Sequence, residues 1–177
     1  MSGKQYDWIM RGALQEVIEL AETDQKPIVV PPHHNAETPP GSETHEHPEL
    51  FIQMSGMTEF TFPGQTYILK PNEVLIVPPG LPHLEKTMGD SEEFVSMVVI
   101  FYPDEIELHI ATANSDSRPE VCYVEKFKPQ HNNLLIRSIK EYVVHERAQT
   151  RHNRILAKGL QLTLLGCLLE HIRYGNE

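Results

Sequence analysis

Between Pro27 and about Phe127 the chain repeats one pattern of short β-branched and aromatic runs: IVV, ELFIQM, TEFTF, TYIL, VLIV, FVSMVVIF, EIELHI and VCYVEKF. Between them stand PPHHN, TPPGS, FPGQ, KPNE, VPPGLP and TANSDSRPE. Residues of that kind set unusual φ angles or remove a ladder donor, so each run stops early and finds its partners across turns. Many short strands at this spacing predict a mainly β fold, an antiparallel sandwich or barrel. Prolines 31, 32, 39, 40, 78, 79 and 82 are expected in loops or at strand ends, because a central strand cannot give up its donor.

On either side of this region the hydrophobic period changes. Residues 5–22 place Ile9, Ala13, Val17 and Leu20 at helical spacing with acids opposite, which predicts one amphipathic helix. After Pro129, His131 to His145 carries Leu134, Leu135, Ile139, Tyr142 and Val143. A second segment from about Thr150 carries Ile155, Leu156, Leu160, Leu164, Leu168 and Ile172, with Leu165 and Leu169 on a neighbouring row. Both read as helices, and Gly175 reads as the cap of the second. The predicted order is an N-terminal helix (1–26), a β-barrel (27–128) and a C-terminal helix pair (129–177). With 177 residues these form a single domain. The last stripe is wide enough to bury against the barrel and against a second subunit, so a homodimer through the C-terminal helices is expected.

Charge narrows the function classes. Residues 1–117 hold 5 Lys/Arg against 19 Asp/Glu, and residues 118–177 hold 10 against 6, within a net charge of −10. Affinity for a phosphate backbone comes largely from Lys and Arg displacing counterions, so direct nucleic-acid binding is not expected. No uninterrupted apolar run approaches the ~18 residues of a membrane span, and no basic head precedes an unbroken apolar stretch, so neither membrane nor secretion is expected. Cys122 and Cys167, both in apolar surroundings, are expected to be buried thiols in a reducing cytoplasm.

The chemistry concentrates in two segments. In Gly41-Ser-Glu-Thr-His45-Glu-His47-Pro-Glu49-Leu-Phe-Ile-Gln-Met-Ser-Gly56, strand alternation puts His45, His47 and Glu49 on one face and Leu50, Ile52 and Met54 on the other. Lys70-Pro-Asn72-Glu-Val-Leu-Ile-Val-Pro78-Pro79-Gly80-Leu-Pro82-His83 then presents an apolar strand, a tight turn and a third histidine. Imidazole is the commonest ligand for Zn, Fe, Ni and Mn type ions, so His45, His47 and His83 suit one divalent first-row metal. The other reading of the three is as polar cavity histidines that bind a ligand without metal. Glu49 joins them only if Pro48 bends the chain, because four residues of straight strand separate His45 and Glu49 by ~13 Å. Gln53 and Tyr67 on strands, and His34 in the PPHHN loop, are candidate ligand contacts.

These motifs resemble the paired motifs of the cupin superfamily, small β-barrels of double-stranded β-helix type. In metal-binding cupins the residues matching His45, His47, Glu49 and His83 hold the ion. Asn72 stands where a glycine is usual, and Thr87 where the second motif usually has asparagine. The whole arrangement, with its late helices ending LLGCLLEHIRYG, is similar to the N-terminal sensing and dimerisation domain of AraC-type regulators, without the helix-turn-helix region that normally follows. The resemblance implies a stand-alone cupin that binds a small polar ligand, sugar-like or another metabolite, in a sensing or regulatory role. The alternative it implies is a metal-dependent cupin enzyme of isomerase or dioxygenase type.

Overall fold

A computed structural model describes residues 3–23, 28–32, 34–88, 94–128, 132–148 and 151–174; His33, His131 and Gly175 lie outside them. Helix α1 (Gly3–Glu22) leads into strands β1 (Glu49–Ser55), β2 (Met57–Phe62), β3 (Gln65–Leu69), β4 (Val74–Val77), β5 (Leu84–Met88), β6 (Val95–Phe101), β7 (Ile106–Ala113) and β8 (Pro119–Phe127). Helices α2 (Asn132–Ala148) and α3 (Arg151–Tyr174) follow. The strands pair antiparallel in a five-stranded sheet, β4-β1-β6-β7-β8, and a three-stranded sheet, β3-β2-β5. The protein is mainly β, with flanking helices, consistent with the barrel expected from the sequence.

Two apolar clusters use the two faces of the five-stranded sheet. Leu50, Ile52, Val74, Ile76, Met97 and Val99 pack outward against the helices, while Phe51, Leu75, Val77 and Val98 point inward against Phe60, Phe62 and Leu69 of the smaller sheet. Alternation along β1 makes this division, since successive side chains leave opposite faces. Tyr142 fixes the helical layer to the barrel by donating its hydroxyl to the Ile28 carbonyl at 2.7 Å.

Several sequence expectations need correction. The run IVV forms no strand of its own; Val29 makes a single parallel bridge to Leu75, with Val29 N donating to Val74 O and Ile76 N to Val29 O. Strand β5 (LEKTM) is absent from the predicted runs, because three of its five residues are polar and none of its neighbours marks it as a strand. On α1 the fully buried row is Met10, Leu14, Val17 and Ala21, whereas Ile9, Ala13 and Leu20 sit half-buried beside it. Cys122 is exposed, not buried, at the extra residue of the bulge where β8 pairs with β7, and Cys167 is half-buried.

The helix α3 segment His152–Ile172 has a mean hydropathy of 1.3 and is long and apolar enough to cross a membrane, although charged residues interrupt it. Much of that apolarity serves the chain's own core: Leu164, Leu165, Leu168 and Ile172 are buried, and α3 packs on α1 and α2. Asn72 adopts φ 64°, the left-handed conformation that asparagine tolerates where a tight turn otherwise takes glycine. Gly56 is at φ 66°, and a Cβ there would lie 3.1 Å from the Phe94 backbone, so that turn needs glycine on both counts.

Candidate metal centre

Residues 43–48 cross one end of the barrel before β1 begins. Glu43 and His83 exchange two backbone hydrogen bonds, 2.9 and 3.0 Å, and Gly80 N donates to the His45 carbonyl at 2.9 Å. Phe101 N donates to the Pro48 carbonyl at 3.2 Å. The chain bends at residues 46 and 47 and enters the strand at Glu49. That bend turns His45 back toward Glu49, so the two side chains approach to 3.8 Å where a straight strand would have held them apart.

His45, Glu49 and His83 each present a ligand atom within 4.8 Å of the other two. Glu49 lies between the histidines: one oxygen is 3.8 Å from His45 Nε2, and the other is 3.6 Å from His83 Nε2. His83 Nε2 is also 3.5 Å from Glu85, and His45 Nε2 is 3.7 Å from Glu43. Around His83 stand Phe51, Phe60 and Phe62, with ring centroids 6.2 to 6.3 Å away. His83 is 1 % exposed and Glu49 5 %.

Hydrogen bonding leaves this centre incomplete. His83 Nδ1 faces the Leu81 carbonyl at 3.2 Å, so the neutral ring donates there and turns the Nε2 lone pair toward Glu49 and Glu85. Both His83 Nε2 and Glu49 Oε2 are buried without a hydrogen-bond partner among the described residues. Two buried acceptors facing each other are costly unless a cation or proton lies between them. Bonds of ~2.1 Å to a tetrahedral ion put neighbouring donors about 3.4 Å apart, close to the separations here. The residues therefore fit a divalent ion.

Electrostatics follows the same geometry. Burial pushes the Glu49 carboxyl up to about 7, His83 pulls it back, and Glu85 and Glu43 raise it further. For His83, burial is the largest influence and acts downward; Glu85, the Leu81 carbonyl and Glu49 together outweigh it, so the imidazole sits above its usual value. Both folded groups thus hold a proton more tightly than the unfolded chain does. In metal-free protein, the contribution of protonated Glu49 is full below 4.5, its ordinary value, and is lost as pH rises through about 7, a loss of roughly 3 kcal/mol. Metal-loaded protein should show the opposite trend, because the ligands must be deprotonated. Urea melts at pH 5 and pH 8, with chelator and with added zinc, measure both slopes.

The other sequence candidates lie elsewhere. His47 packs edge-on against Tyr102, with centroids 4.8 Å apart, and does not join the three donors. Gln53 is fully buried, with its amide donating to the carbonyls of Ser55 (2.7 Å) and Val95 (3.4 Å) and accepting from the Thr58 hydroxyl (2.7 Å). Tyr67 donates to Glu73 at 3.3 Å, and burial followed by the Glu73 charge pushes its hydroxyl up to about 12. His34 is exposed beside Gly64 of the β2–β3 turn. Glu85, by contrast, is not among the sequence candidates, yet it lies 3.5 Å from His83 Nε2, just outside the three-donor group. The available signal is His83-x-Glu85, two residues apart where an extended chain brings both side chains to one face.

An open cleft of about 480 Å³ is lined by Glu43, His83, Glu85, Lys86, Asp116 and Arg118 among others, but by neither His45 nor Glu49. Its size suits a small molecule and its walls are polar and carry both signs of charge. Residues 28–101 match the family described as the cupin domain, and the two-sheet fold and flanking helices agree with it. That match supports placing this segment in the cupin superfamily, whose members often bind a metal. No curated protein matches the chain.

Proposed function

We propose that this protein is a cupin that binds a small polar ligand at a divalent-metal centre held by His45, Glu49 and His83. The observation that carries this reading is the buried pair His83 Nε2 and Glu49 Oε2, which lack hydrogen-bond partners among the described residues and lie at separations suited to an ion. A bound first-row ion would supply a Lewis-acidic position for a ligand oxygen. The chain's own part is to exclude water behind Phe51, Phe60 and Phe62, and to offer Glu43, beside His45, as a polar contact. A sensing role of the AraC type accords with the helices packed on the barrel. The test is mass spectrometry of small molecules that copurify with native and with chelator-stripped protein. A polar metabolite carried by the native sample and lost on stripping supports the reading; retention of the same molecule without metal contradicts it.

A homodimer through the late helices is part of the proposal, with a changed seam. Leu164 and Leu168 serve the chain's own core, so the free face of α3 is the one bearing Ile155, Leu156, Gly159, Thr163 and Gly166. A Cβ at Gly159 or Gly166 would meet nothing within 4 Å, which leaves room for close approach of a second helix. Ile155, 64 % exposed, is then expected to be needed for association: Ile155→Asp should sediment as a folded monomer. An unchanged dimer would remove this seam.

A further inference from the structure

We infer that the fourth protein donor to the metal centre is Glu85, and that His47 is not a ligand. The inference rests on the proposed metal reading and asks which residue completes the set. Three observations carry it. His47 is the second histidine of its motif, yet its ring packs edge-on against Tyr102; His47 and Glu85 both lie outside the close group of His45, Glu49 and His83, and of the two it is Glu85 that approaches His83. Glu85 Oε1 lies 3.5 Å from His83 Nε2, about as far as Glu49 Oε2 at 3.6 Å. The two carboxylates therefore flank the same buried nitrogen, whose lone pair has no hydrogen-bond donor facing it among the described residues. The Glu85 side chain is 25 % exposed, free to settle on an ion.

Charge supports the same assignment. A divalent ion held by two neutral imidazoles and two carboxylates is formally neutral. That matters in a site walled by three phenylalanines, where uncompensated charge is costly. Position is explained by the fold: the Glu43–His83 bridge leads directly into β5, and an extended chain there points His83 and Glu85 to the same side. The set is thus two histidines and two glutamates drawn from the segment before β1, from β1 itself and from the start of β5.

The test is titration of metal-free protein with Zn²⁺ and Co²⁺, read by calorimetry and by the visible absorption of bound Co²⁺, for wild type, Glu85→Gln, Glu85→Ala and His47→Ala. Circular dichroism confirms that each variant is folded. Expected are a loss of more than about 100-fold in Zn²⁺ affinity for both Glu85 variants with an altered Co²⁺ spectrum, and affinity within about twofold of wild type for His47→Ala; residues that only orient a ligand cost about 10–100-fold. A loss confined to that lower range with an unaltered spectrum makes Glu85 a positioning residue and overturns the inference. So does a His47→Ala loss of more than about 100-fold. A wild type that takes up neither ion overturns the metal centre itself, a result separate from either of these.

Discussion

Replacing His83 with alanine is expected to abolish the stabilisation that divalent metal gives this protein. At a free-ion concentration about 100 times the dissociation constant, binding to the folded state alone adds about 2.7 kcal/mol. In a chain of this length each kcal/mol is worth roughly 2–4 °C, so added Zn²⁺ should raise the wild-type midpoint by roughly 5–10 °C. The shift in His83→Ala should be near zero, whatever the variant's own midpoint. His83 is the right residue to remove because it is the most buried of the three donors, and its second ring nitrogen is already held by the Leu81 carbonyl. An equal metal-induced shift in the variant would mean that the ion binds elsewhere.

The second large effect concerns the last helix. Leu168→Asp is expected to unfold the chain and not to release a folded monomer. Leu168 is 0 % exposed and shares one cluster with Met10, Leu14, Ile139 and the outer face of the large sheet. An aspartate there either buries a charge or opens the helix layer, and each costs several kcal/mol against a total stability of about 5–15 kcal/mol. Far-ultraviolet circular dichroism and sedimentation would distinguish the outcomes. A folded, monomeric Leu168→Asp protein would place that residue at a subunit seam and contradict its burial in the chain's own core.

Much of this architecture was legible in the sequence, and the reasons differ by element. β1, β4 and β6 are nearly continuous apolar runs, so their strands could be read directly from ELFIQM, VLIV and FVSMVVIF. β5 could not, because Glu85 and Lys86 break the apolar signal and its place is set by pairing with β2 and by the Glu43–His83 bridge. The helices were visible as periods, but which row of α1 turns inward depends on the shape of the sheet beneath it. At the candidate site, the approach of His45 to Glu49 depended on a bend that the Pro48 spacing only made conditional. The separation of His47 from the other donors had no sequence signal; it comes from the Tyr102 ring, remote in sequence and adjacent in space. Cys122 looked buried because its neighbours are apolar, whereas an edge-strand bulge exposes it.

Elemental analysis of protein purified without metal-affinity resin tests the metal centre most directly. About one first-row divalent ion per chain is expected in native protein, and none in the Glu49→Gln, His83→Ala double variant. Native protein free of stoichiometric metal, with a melting temperature that neither chelator nor added zinc changes, would contradict it.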